Sequence, residues 1–529
     1  MVSQSGRRIN AATEIVLALL IMAVLADQAR FLFVYPVPDT GMWFGDETWT
    51  MLAVRALVRT GVARLPEALG SSLVHSNGLI NGSIWLSGLV YGIPAAIFSH
   101  VTSPVAIGRI ITFLLSLIVL FFVYRCSRRL DASPVASLVG VFALVISNVF
   151  YFSSHSARLD MVTGLAVLLY FFLLIIVFKR FETGALREWW AFVLPFLAAL
   201  SLTVYVHVPA LLALPMIYSL WRLGAFRAWQ TSVFAIAGLL SGVILLGSIY
   251  WLTTGSLDLL GKGYNQYYNV ANSLPVLHLF SWRVQRINTL DRAVQMWEVA
   301  WPIVIILVLG SGIRMWKRSS FHRIERFFFI NAVLLFFGWM LFGGPAVFYN
   351  IHVMPVAAVC CVALIAPVFQ RKPSRSAGWS VVLIILIVAV VTIASQERRG
   401  DVGKRLVMEN KSAIHTLIEP IASQANPPLI LADEPAENQV AGNSNVRLMT
   451  NHLLLFGEAN KPLPDILREE HAHYLLLYSN AHWRSPFRRI ADSLYTFIGE
   501  RVGTLTDLAR TYDEPHWNEF DTLRLYQAK

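Results

Sequence analysis

Two carboxylates, Asp46 and Glu47, stand side by side in "GMWFGDETWTMLAVRALVRTG" (41–61), just after the first long apolar run of the chain. A third, Asp160, follows Arg158 at the start of another apolar run in "YFSSHSARLDMVTGLAVLLYFFLL" (151–174). An acid at a helix start has an ordinary role, capping backbone N–H groups and complementing the helix dipole. It also has a chemical role. At a membrane surface it can act as general base on an acceptor hydroxyl or amine while the donor stays dissolved in the bilayer. Neighbouring residues at a helix head point in different directions, so the residues alone leave Asp46 and Glu47 as equal candidates.

Basic, aromatic and imidazole groups widen the candidate set. Arg158 stands beside Asp160, and Lys262, Arg283 and Arg286 lie in a long polar stretch, 253–297. Each could face a phosphate, with solvated loop charge or lipid headgroup contact as the plainer alternative. Tyr264, Tyr267 and Tyr268 in "GYNQYYN" could stack on a sugar or simply sit at the interface. His75, His155, His207 and His352, with Glu47, could hold a divalent metal. Their spacings match no ligand motif, and hydrogen bonding in a core or at an interface is the alternative for each. Cys126, Cys360 and Cys361 offer neither a disulfide framework nor a CxxC site.

The elements that must position these groups are set by composition. The chain is 56% hydrophobic and 14% charged, against roughly 25% charged in soluble domains. Several runs reach the ~20 apolar residues that a helix needs to cross a ~30 Å hydrocarbon layer. This is a multispan membrane protein. Its net charge of +11 sits in short clusters between apolar runs, which points to topology rather than nucleic acid.

The run from Ala12 to Val34 follows Arg7 and Arg8 without a small-residue cleavage site, so it reads as an uncleaved first span with a cytoplasmic N-terminus. The next segment, "INGSIWLSGLVYGIPAAIFSH" (80–100), is interrupted by Gly88, Gly92 and Pro94. If it crossed, the basic clusters at 125–129, 179–187, 314–326 and 371–375 would all fall outside, against the positive-inside rule. An interfacial or re-entrant segment places them all in the cytoplasm. Spans are then expected near 12–34, 105–124, 134–152, 161–178, 190–206, 208–221, 230–252, 298–313, 327–342, 351–369 and 378–395. The outer side receives 35–104, 153–160, 253–297, 343–350 and the C-terminus.

Within the first outer loop, Leu52, Ala53, Ala56 and Leu57 recur at helical spacing while Arg55 and Arg59 share another face, as in a helix lying on the membrane surface. From residue 396 the composition turns polar. "LILADEP" and "HYLLLYS" are strand-like, and "KRLVMENKSAIHTLIEPIASQ" is helix-like, so 396–529 reads as a small extracytoplasmic α/β domain following a membrane domain over 1–395.

The order of these features resembles the GT-C polyprenyl-phosphate-sugar glycosyltransferases. "GDETWTMLAVRALVRTG" is similar to the "DE…Y…A…G" pattern of the protein mannosyltransferases and lipid A aminoarabinose transferases. "AIGRIITFLLSLIVLFFVYRCSRRL" (106–130) follows their arginine, long span and basic end, "SARLDMVTGLAVLLYFFLL" their "AR-x-D" span, and "FYNIHVMPVAAV" (348–359) their "YxLPxxPA" segment. The likeness covers roughly the first 370 residues and rests on order and spacing. It implies a polytopic α-helical GT-C-like fold of about eleven spans plus interfacial helices. It also implies inversion at the sugar's anomeric carbon, with Asp46 as base and a lipid phosphate as leaving group.

Asp46, Glu47 and Asp160 thereby become the candidate catalytic acids. Arg158, His75, Lys262, Tyr264, Arg283, Arg286 and Tyr349 become the candidate substrate contacts. Expected partners are a polyprenyl-phosphate sugar donor, an extracytoplasmic acceptor and membrane lipids, in a multi-pass inner-membrane protein. The family's "KPPL" is replaced here by "LVHSNGLINGSIW", with His75 and Asn77, and a span that often carries Lys reads "YVHVPALLALP", with His207. Both departures touch the phosphate-binding arrangement. Two rival classes remain: a glycolipid transporter, which calls for ionisable groups in mid-span, and a noncatalytic envelope assembly protein working through its C-terminal domain.

Overall fold

The computed structural model describes residues 4–32, 54, 88–98, 100–102, 104–201, 204, 208–254, 282–316, 321–342, 347–370, 383, 385–395, 412–424, 426–432, 440, 445–450, 463–469, 471–478, 490–491, 493–502 and 522–529. Helices dominate. They run α1 (Gln4–Arg30), α2 (Ile93–Phe98, entered through a π-turn at Gly88–Gly92), α3 (Pro104–Arg129), α4 (Pro134–Val145), α5 (Asn148–His155) and α6 (Asp160–Glu182). Next come α7 (Trp190–Leu200), α8 (Val208–Arg222), α9 (Trp229–Thr254), α10 (Trp282–Trp316) and α11 (Arg323–Phe342). A 3₁₀ turn (Val347–His352) then leads into α12 (Met354–Gln370), and Ile385–Ser395 forms a further apolar helix.

Among the described residues, four helices are long and apolar enough to cross a membrane, within α1, α3, α6 and α9. Their outward faces carry large apolar side chains, such as Leu19, Leu114, Phe121 and Ile244, exposed to whatever surrounds the bundle. The 134–152 run, expected as one span, is apolar enough to cross as a pair of helices, α4 and α5, bent by 67° at a break between them. Ser147 causes the break: its backbone is extended and its hydroxyl caps α5 by accepting from the Phe150 N–H. The 253–297 stretch, expected as loop, already carries helix from Trp282. That helix kinks at Ala300 (φ −137°, ψ 27°), two residues before Pro302, whose ring cannot sit against the carbonyl four residues back.

α12 is the centre of the bundle, buried almost throughout from Val353 to Ala366, with α10, α4 and α3 packed around it. All three cysteines, Cys126, Cys360 and Cys361, are buried free thiols. α7 and α9 approach closely because Gly238 and Gly242 are spaced four apart: a Cβ on Gly238 would come within 2.1 Å of the Phe192 carbonyl oxygen. Arg314, read from sequence as a topogenic charge, is buried instead. Its Nη2 donates to the Glu325 carboxylate at 3.1 Å and to the Ala363 carbonyl at 2.6 Å, and its guanidinium lies 3.9 Å from the Phe321 ring centroid.

The C-terminal residues build a five-stranded sheet of order β2-β1-β3-β5-β4, from β1 (Leu429–Ala432), β2 (Arg447–Thr450), β3 (Tyr474–Tyr478), β4 (Tyr495–Val502) and β5 (Thr522–Ala528). Both strand-like runs of the sequence, "LILA" and "YLLLY", are strands here, and β1 pairs in parallel with β2 and β3. β1 is buried along its whole length, as a strand flanked on both edges should be. The helix over 412–422 turns Ile414, Leu417, Ile418 and Ile421 inward at 3.6-residue spacing.

Candidate active site: a buried charged cluster at the head of a helix

Asp160 opens α6, yet it does not cap it. The capping position is Leu159, which makes no side-chain cap bond. The Asp160 carboxylate turns away from the helix and is held at both oxygens. Arg158 Nε donates to Oδ2 at 2.6 Å, and His352 Nε2 lies 3.0 Å from Oδ1. All three residues are buried. Removing two charges from water is costly, and the geometry offsets that cost by short, charge-assisted hydrogen bonds.

The Arg158 end is anchored by a hydroxyl. Tyr91, fully buried in the π-turn, donates to the Arg158 carbonyl at 2.6 Å, and its oxygen lies 3.0 Å from Thr112 Oγ1 in α3. The Thr112 hydroxyl donates to the Gly108 carbonyl of its own helix at 3.0 Å, as threonines in membrane helices commonly do. Val54, Tyr91, Ala95, Ile107, Ala157 and Leu159 form a separate apolar cluster around this anchor. Arg109, on the same helix as Thr112, is also buried.

The His352 end is anchored by packing. The imidazole meets the Trp339 indole edge to face at 5.9 Å, and Trp339 Nε1 donates to Asn350 Oδ1 at 3.2 Å. Gly164, one turn beyond Asp160, allows the backbone of the 3₁₀ turn to press onto α6, since a Cβ there would stand 2.8 Å from the Ile351 carbonyl oxygen. A neutral ring with its proton on Nε2 fits a carboxylate that can only accept.

A neighbouring group ties α1 to the bend. Gln28 Nε2 donates to the carbonyl of Val145, the last residue of α4, at 3.0 Å. His155 places Nε2 2.7 Å from the Gln28 carbonyl and Nδ1 2.7 Å from that of Tyr151. Gln28 thereby satisfies a carbonyl left over at the helix break, and the one N–H of a neutral His155 ring serves one of the other two.

Of the residues singled out from sequence, the structure joins Arg158, Asp160 and His352 in one cluster and gives His155 hydrogen-bond partners apart from it. Asp46, Glu47, His75, His207, Lys262 and Tyr264 lie outside the described residues. Arg283 and Arg286 fall in the first two turns of α10, and Tyr349 in the 3₁₀ turn. Among the described residues no three His, Cys, Asp or Glu side chains gather as metal ligands. Tyr91 and Thr112 were missed, and Arg109 entered only as the arginine of a family-like span. Only Arg109 carried a signal, as an ionisable side chain inside an apolar run.

No family model matches the chain, and no curated protein does. Solved structures do. ArnT from Cupriavidus metallidurans bound to undecaprenyl phosphate superposes with a TM-score of 0.56 at 13% identity, over 96% of this chain and 97% of that one. ArnT from Cupriavidus metallidurans in the apo state gives 0.50 at 14% identity, with the same coverage. The chain therefore has an ArnT-like membrane fold, matched over 96% of its length.

Proposed function

We propose that the chain is a membrane glycosyltransferase that takes a sugar from a polyprenyl phosphate and transfers it, with inversion, to an acceptor on the extracytoplasmic side. The observation that carries this reading is the end-to-end fold likeness to ArnT, a protein solved with undecaprenyl phosphate bound. The order of sequence motifs supports it from a separate direction. The N-terminus is then cytoplasmic. Residues 1–395 form the transferase domain in the inner membrane, and 396–529 form an extracytoplasmic domain that meets the acceptor.

In this reading an acceptor hydroxyl or amine attacks the anomeric carbon while the bond from that carbon to the phosphate oxygen breaks. Asp46 takes the acceptor's proton, with Glu47 beside it in sequence. Polyprenyl phosphate leaves with the electron pair. Negative charge gathers on its oxygens as the sugar becomes cationic, so cations fixed beforehand near the phosphate stabilise the transition state. Arg158, Lys262, Arg283 and Arg286 supply positive charge, and His75, Tyr264 and Tyr349 contact the sugar and phosphate. Asp160 has both oxygens occupied, which suits it to holding its partners rather than accepting a substrate proton. No step is assigned to a metal.

The test is the mass spectrum of lipid-linked and envelope glycans from cells lacking the gene, complemented with wild type or Asp46→Asn. Transfer predicts loss of one sugar, accumulation of its polyprenyl-phosphate carrier, and rescue by wild type alone. An unchanged glycan profile would sink the reading.

A further inference from the structure

Two parts of the chain 192 residues apart are joined by a hydrogen bond, His352 to Asp160. On one side of it lies α6, with Arg158 drawn onto the same carboxylate and tied back through its carbonyl to Tyr91. On the other lies the 3₁₀ turn Val347–His352, which contains Tyr349 and is braced by Trp339 through Asn350. The turn is short, and few backbone bonds of its own define its angle. What sets its placement is the imidazole, together with the close approach of Ile351 to Gly164.

We infer that His352 is a positioning residue: through Asp160 it fixes the 347–352 turn against the Arg158 segment, so that both reach the lipid phosphate as one rigid unit. Its role is to donate one hydrogen bond from Nε2. It neither touches the reacting atoms nor needs to change protonation. A glutamine, whose amide nitrogen reaches a similar position and also donates, should replace it; a leucine of comparable bulk should not. This rests on the glycosyltransferase reading for the identity of the bound lipid. Misplacement of a binding group by about 1 Å is enough to cost on the order of a hundredfold.

The experiment uses the full-length protein in nanodiscs, as wild type, His352→Leu and His352→Gln. Hydrogen–deuterium exchange is followed across 347–354, and affinity is measured for undecaprenyl phosphate alone. His352→Leu should speed exchange in that segment and weaken binding about tenfold or more, and His352→Gln should restore both. Unchanged exchange and affinity in His352→Leu would overturn the inference, as would a His352→Gln protein as impaired as the leucine variant. If wild type fails to bind undecaprenyl phosphate, the lipid-carrier reading falls. The exchange data then decide by themselves whether His352 pins the turn.

Discussion

A methyl group built on Gly164 would stand 2.8 Å from the carbonyl oxygen of Ile351, closer than side-chain carbons come to backbone oxygens. α6 and the 3₁₀ turn are therefore in direct backbone contact one helical turn from Asp160. Gly164→Ala should push the turn outward, destabilise the protein by about 1–3 kcal/mol as overpacking does, and lower transfer. Gly312→Ala is the control, because nothing lies within 4 Å of a Cβ there. It should be neutral or slightly stabilising. Thermal unfolding of both purified variants decides the point, and equal behaviour would contradict the close contact.

Asp46→Asn should abolish transfer in purified protein while expression and unfolding temperature stay near wild type, since an amide still caps a helix but is a poor base. Glu47→Gln should retain most activity. The reverse pattern would move the base role to Glu47.

The Arg314–Glu325 pair gives a stability prediction independent of catalysis. Arg314→Met leaves Glu325 buried without its cation and should cost about 3–5 kcal/mol. The double variant Arg314→Met/Glu325→Leu should recover most of that loss, because two apolar side chains need no partner. Differential scanning fluorimetry in detergent would show it; a double variant no better than the single one would mean that the pair contributes more than mutual neutralisation.

In the C-terminal sheet, Tyr495 donates to the Ala472 carbonyl at 2.9 Å, and burial pushes its hydroxyl up to about 12 from an ordinary value of 10.0. A raised folded-state value favours the neutral phenol in the folded protein. The stabilisation is complete below pH 10 and is lost as pH rises toward 12. Unfolding followed from pH 8 to 11.5 should show stability falling above pH 10. Tyr495→Phe should be less stable at pH 8 and show a shallower decline.

Much of the bundle was legible because lipid is the solvent. A helix facing it must be apolar for its whole length, so α3, α6 and α9 stand out by composition without any amphipathic period. The break at Ser147 was not legible, since "VISNVF" stays apolar enough to read through. Arg158 and Asp160 could be singled out because ionisable residues at a helix head are costly without a purpose. Their pairing with His352 could not be read, because only the fold brings residue 352 to residue 160. One hint was present: aligned on Tyr349 and Pro355, His352 falls where the "YxLPxxPA" pattern has its first proline. Tyr91 gave no hint, for a tyrosine in a Gly-rich interfacial segment is ordinary.

The burial of Cys126, Cys360 and Cys361 makes the native chain silent toward water-soluble thiol reagents. A single cysteine placed at 100, at 184 or in the C-terminal sheet would then report alone, with no need to remove the natural thiols first. Labelling of intact cells with a membrane-impermeant maleimide would colour the protein for an outward position and leave it dark for an inward one. The same background lets spin labels or fluorophores be set at both ends of the kinked helix α10, turning its bend at Ala300 into a distance that can be followed as lipid is added.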